Sequence, residues 1–159
     1  MTLYACSKKD DYKFITYTEN DIKALYDNNM ELFNNLGNAI KENEQFWEKG
    51  RRDNESVHAW IMSPNDEKKM NLFTPYDQNI ISEFFDKTKP YMVSLDDKQY
   101  ITITFINSNN TGWYCLVYYF DKKSIDSVNE TTYFEEWVDS RKSNYKVFKV
   151  INNDWFLYY

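Results

Sequence analysis

His58, Cys6 and Cys115 are the side chains of this sequence with nucleophilic or acid–base chemistry near neutral pH. A Cys115 thiolate activated by His58 would be a nucleophile–base pair suited to acyl transfer. Two features argue against it. Cys115 lies inside WYCLVYYF (113–120), the most apolar run of the chain, where burial raises a thiol's pKa and leaves it inert. It is expected to serve as a small core hydrophobe, and both cysteines to be unpaired thiols. His58 has no Cys or His cluster around it and is expected to be structural. The Asp96-Asp97 pair would suit a hard cation, but no further oxygen ligand is spaced to complete a shell; as turn residues they need no other explanation. GxSxG, GxGxxG, HExxH, CxxC and the P-loop are absent, and no motif singles out a pair of carboxylates. No catalytic residue, metal or cofactor is assigned. The expectation is a protein that acts without catalysis.

Composition narrows the classes further. The 159 residues suit one domain with a real core, and 19% aromatic content is far too high for a disordered chain. Three Gly and three Pro leave few turns able to cradle phosphate. A net charge of −6 disfavours nucleic acid and anionic membrane and favours a basic partner. Lys8-Lys9, Arg51-Arg52, Lys68-Lys69 and Lys122-Lys123 are isolated doublets accompanied by acids, so no basic tract exists. No apolar run is long enough to span a bilayer.

Where the acids fall depends on the elements that carry them. A helix is expected from residue 18, capped by Thr18 or Asn20, with Glu19 and Asp21 at the positive end of its dipole. Ile22, Tyr26, Phe33, Leu36, Ile40 and Trp47 form its apolar stripe, while Asn20, Asp27, Glu31, Asn34, Asn38, Glu42 and Gln45 fall opposite. It is expected to run to about Glu48 and end near Gly50, with Gly37 the position at which it would bend. Residues 19–48 hold seven acids against Lys23 and Lys41, nearly the whole excess of the chain. Asp27, Glu31 and Glu42 are therefore candidate contacts for a cationic partner, against the simpler reading of a solvated helix face.

Further on, 57–62 fits a helix slightly better than a strand, and 63–66 a turn. Thr74-Pro75-Tyr76-Asp77 opens a helix with Ile80, Ile81, Phe84 and Phe85 as its buried stripe, ending before Pro90. Residues 91–95 read as a strand and 96–98 as a turn. Residues 99–120 form a hairpin with Ile101, Ile103 and Phe105 on one face, Tyr100, Thr102 and Thr104 on the other, and a second arm covered on both faces. Residues 132–142 suggest a short helix with Phe134, Trp137 and Val138 inward; Glu135, Glu136 and Asp139 make a second candidate contact patch. A hairpin of 145–151 with 155–159 closes the chain. The sum is an α+β fold: an antiparallel sheet of about four or five strands, with a long N-terminal helix and shorter helices packed on it. Residues 1–17 form an N-terminal segment and 18–159 a single domain.

Two resemblances add to this. Leu3-Tyr4-Ala5-Cys6 followed by Ser7-Lys8-Lys9-Asp10-Asp11 resembles the junction of a bacterial lipoprotein, where a Cys after a small residue receives lipid and a polar tether follows. With Met1 as the start, no signal region precedes Cys6 and the chain is expected in the cytoplasm; with a start further upstream, it is an envelope lipoprotein anchored through Cys6. The Tyr-rich arm ending Tyr118-Tyr119-Phe120-Asp121 and the terminal Asn153-Asp154-Trp155-Phe156-Leu157-Tyr158-Tyr159, in an acidic α+β chain, resemble small bacterial immunity proteins of polymorphic and contact-dependent toxin systems. The resemblance implies a protein that neutralises a cognate toxin domain by tight binding, through an acidic or aromatic surface. It carries over no individual binding residue. The alternatives are a lipid-anchored envelope protein holding a small ligand or cell-wall component in an aromatic pocket, and a hydrolase built on clustered carboxylates.

Overall fold

The computed structural model describes residues 15–43, 45–46, 58–96, 100–108, 112–119, 138–139, 142, 148–151 and 155–158. Helix α1 (Glu19–Lys41) opens on a capping box: Thr18 Oγ1 accepts from the Asp21 N–H at 3.2 Å, and the Asp21 carboxylate accepts from the Thr18 N–H at 2.8 Å. The Thr18 hydroxyl, which donates to the same carboxylate at 2.7 Å, and then the Thr18 N–H hold the Asp21 carboxyl below its ordinary pKa. The helix is shorter than the apolar periodicity suggests. Asn43 ends it, because its Oδ1 accepts from the Phe46 N–H at 2.8 Å and its Nδ2 donates to the Leu72 carbonyl at 2.9 Å. A side chain that caps the following turn competes with continuation of the helix behind it.

The bend also lies elsewhere. Asn29 departs from helical geometry at φ −133°, ψ 24°, and its Nδ2 takes the Leu25 carbonyl at 2.9 Å. An amide inserted into the i→i−4 ladder is a sufficient cause for a kink. Gly37 is there for close approach instead: a Cβ at that position would sit 2.8 Å from Tyr118 Cδ1. Tyr118 cannot easily yield, since its other side is stacked on Trp155 at 5.0 Å. Gly37→Ala is therefore expected to lower stability by about 1–3 kcal/mol, outweighing the roughly 1 kcal/mol gained in helix propensity. A raised melting temperature for this variant would show that the ring swings aside.

The sheet contains strands β1 (Thr16–Tyr17), β2 (His58–Ile61), β3 (Met92–Asp96), β4 (Tyr100–Asn107), β5 (Trp113–Tyr119), β6 (Phe148–Val150) and β7 (Trp155–Tyr158). Its order is β2-β3-β4-β5-β7-β6, antiparallel throughout, with β1 joined in parallel to the end of β4 beyond the reach of β3. The five strands expected from alternation are all present, and two more join them. One is β1. The other, β2, corrects the helical preference for 57–62: Ala59 and Ile61 alternate with Trp60, pair with Leu95 and Val93, and are fully buried. A short alternating segment beside an open strand edge is worth more as ladder than as an isolated turn of helix.

Helices α2 (Glu67–Met70) and α3 (Pro75–Thr88) follow β2. Thr74 caps α3 with Pro75 at its first position, and Lys89 ends it in the left-handed region at φ 44° before Pro90. Helices α1 and α3 cover one face of the sheet. Ile22, Tyr26, Phe33, Leu36 and Ile40 of α1 and Ile81, Phe84 and Phe85 of α3 join Val93, Leu95, Ile101, Ile103, Phe105, Leu116, Trp155 and Leu157 in one core. Ile80, expected in the stripe of α3, is only half-buried at its margin. On the other face, Tyr100, Val117 and Phe156 form a smaller cluster with Cys115 and Val138, and Ser94, Thr102 and Thr104 are buried as well.

Tyr17 fastens β1. Its ring meets Phe105 edge-on at 5.3 Å and its hydroxyl donates to the Thr88 carbonyl at 2.5 Å. Burial, helped by the nearby Asp21 carboxylate, pushes its pKa from 10.0 to about 12. Between those values the unfolded phenol gives up its proton while the folded one keeps it, so stability falls as pH rises from 10 to 12. Tyr17→Phe is expected to flatten that alkaline limb in melts taken across the same pH window.

Candidate functional site

Asp27, Glu31, Asn34, Asn38 and Glu42 are all exposed and lie along one side of α1, opposite its buried stripe. At 1.5 Å per residue the row is about 22 Å long. Its three carboxylates have no cation within ion-pairing distance among the described residues. Two of the three acids of α3 differ: Glu83 pairs with Lys87 at 2.6 Å and Asp86 with Lys89 at 2.8 Å, while Asp77 is taken up by its cap Thr74. The Lys89 ammonium, bonded to it, also holds the Asp86 carboxyl below its ordinary pKa. The field of α1 is thus offset only in part, by Lys23 and Lys41, while Glu83 and Asp86 of α3 are neutralised locally. Packing keeps the row rigid, because Phe33 meets Phe84 at 4.9 Å and Trp155 at 5.4 Å directly beneath it.

Asn34 has a second duty that its place in the exposed row does not reveal. Its Oδ1 accepts from Trp155 Nε1 at 2.9 Å, tying α1 to the last strand. Two clefts open between α1 and α3. One, of ≈ 350 Å³, lies at the kink, with Asn28, Asn29, Glu31 and Asn35 of α1 facing Glu83 and Lys87 of α3. The other, of ≈ 520 Å³, lies at the end of α1 beside Glu42, Asn43, Thr74 and Asp77. Among the described residues, no aromatic ring lines either cleft. Most polar groups of the second are already used in capping, Asn43 with Phe46 and Thr74 with Asp77.

The candidate residues do not form one surface. Asp139 is exposed, but its neighbour Val138 packs with Tyr100, Val117 and Phe156 on the sheet face away from α1. Glu135, Glu136 and Cys6 lie outside the described residues. Cys115, expected as a buried hydrophobe, is half-buried on that same far face; alternation along β5 turns it away from the larger core, to which Leu116 points. His58 and Cys115 do not meet. Strands β3 and β4 stand between β2 and β5, and the register places Cys115 four residues along β5 from the level of His58, for a separation of roughly 19 Å. Among the described residues, no three of His, Cys, Asp and Glu are grouped to hold a metal ion. Nor is any described helix long and apolar enough to cross a membrane. The kink and its cleft had a sequence signal in the Asn28-Asn29 and Asn34-Asn35 doublets, poor helix formers in the middle of a helix.

No family model, curated protein or solved structure matches the chain.

Proposed function

We propose that this chain is a non-catalytic inhibitor that binds a basic protein through the exposed face of α1, in the manner of an immunity protein neutralising a cognate toxin domain. The observation that carries the reading is the contrast between the two helices: Asp27, Glu31 and Glu42 stand exposed without cationic partners among the described residues, whereas Glu83 and Asp86 are paired. Unpaired carboxylates on a rigid face steer a cationic surface into register, and little ordering entropy is lost when the two dock. Inhibition then follows from occlusion of the basic surface.

The experiment is neutralisation. A toxin domain encoded immediately upstream is expected to arrest growth when expressed alone, to be tolerated when this chain is co-expressed, and to co-purify with it as a stable complex. Growth arrest unrelieved by co-expression, with no complex formed, would sink the reading.

A further inference from the structure

Helix α1 is interrupted at Asn29, and the cleft of ≈ 350 Å³ opens at that interruption beside Glu31 of the acidic row. We propose that this cleft receives an arginine side chain of the basic partner. The inference rests on α1 being the docking surface and names the group that enters it.

The chemistry of the lining selects the ligand. Lys87, the one cation lining the cleft among the described residues, is already held by Glu83. Asn29 gives one of its two Nδ2 hydrogens to the Leu25 carbonyl, and its amide oxygen is open to a donor. Glu31 contributes an exposed carboxylate with no cation bound among the described residues, and Asn28 and Asn35 add amide oxygens. The amides carry N–H donors too, but the charge and lone pairs of the Glu31 carboxylate tip the lining toward acceptors, and the complementary ligand is a cation rich in donors. Met30, 45% exposed, and half-buried Leu32 supply apolar surface beside them. A guanidinium satisfies both demands, with five N–H donors in one plane, weakly hydrated faces, and a bidentate fit to a carboxylate. A lysine ammonium is a strongly hydrated point charge and gains little from apolar walls. The volume is at the small end of the about 300–1,000 Å³ spanned by ligand pockets, which suits one side chain rather than a folded element. Removing Lys87 should help rather than harm, since it takes away a repelling charge and releases Glu83 to the incoming guanidinium.

The test is a titration of the isotope-labelled full chain at low salt with N-acetyl-arginine amide, N-acetyl-lysine amide and inorganic phosphate, followed by NMR. Saturable shifts are expected at the side-chain amides of Asn28, Asn29 and Asn35 with the arginine compound, at least several-fold weaker with lysine, and absent with phosphate. Glu31→Gln, isosteric and exposed, should weaken arginine binding about tenfold; Lys87→Met should strengthen it. Equal responses to arginine and lysine, or indifference to Glu31→Gln, would overturn the assignment. Preferential binding of phosphate would also overturn it, by assigning the cleft to an anion. The docking reading fails separately: Glu42→Lys, eleven residues along α1 from Glu31 and outside the cleft lining, should slow partner association and leave the arginine titration unchanged. If partner association ignores that variant while the cleft still takes arginine, the helix face is not the dock.

Discussion

Trp155→Ala is expected to cost about 3–5 kcal/mol of folding stability, the largest effect of any single substitution considered for this chain. Trp155 is fully buried. It stacks on Tyr118 at 5.0 Å, meets Phe33 edge-on at 5.4 Å and Tyr26 at 5.7 Å, and donates its indole N–H to Asn34. Truncation would leave a cavity that a helix, a central strand and the final strand cannot all close, and would strand the Asn34 carbonyl without its donor. Trp155→Phe separates the two contributions, since it keeps most of the ring and loses the hydrogen bond; about 1–2 kcal/mol is expected there, mostly the lost N–H and residual volume. Denaturant melts of the three proteins measure both. A loss below about 1 kcal/mol for the alanine variant would mean that the terminal hairpin is dispensable to the core.

The second large effect is on binding. Reversing Asp27, Glu31 and Glu42 to lysine adds two charges at each of three sites and takes the formal net charge from −6 to zero. All three are exposed, so the fold should be nearly unaffected, within about 0.5 kcal/mol at each site. Association with the basic partner is expected to slow on the order of 10–1,000-fold, the span by which electrostatic steering accelerates encounter. Reversing Asp139 instead should do far less, because Val138 places it on the far side of the sheet from α1. Comparable losses at Asp139 and on α1 would mean that the partner wraps both faces.

Local signals are legible in this chain and non-local ones are not. Thr18 and the Thr74-Pro75 pair announce the helices they cap, and strict alternation at Ile101, Ile103 and Phe105 announces the core face of β4. Strand β2 escaped because four residues hold too little periodicity, and what makes them a strand is the edge of β3, more than thirty residues away in sequence. The end of α1 escaped because apolar spacing ran on past Asn43, whose side chain has a better use in capping the next turn. The acidic row itself was legible, being a matter of spacing on one helix. The cleft beside it was legible only in part: the Asn28-Asn29 doublet signals a weak point in α1, but the second wall comes from α3, whose place against it follows from the packing of Phe33 on Phe84.

The most direct test of a docking surface built on unpaired carboxylates is the association rate with the basic partner, followed by stopped flow across ionic strength. The rate for the native chain should fall steeply as salt rises, while the Asp27→Lys, Glu31→Lys, Glu42→Lys variant should associate slowly with little or no salt dependence. Identical rates and identical slopes for the two proteins would contradict the account.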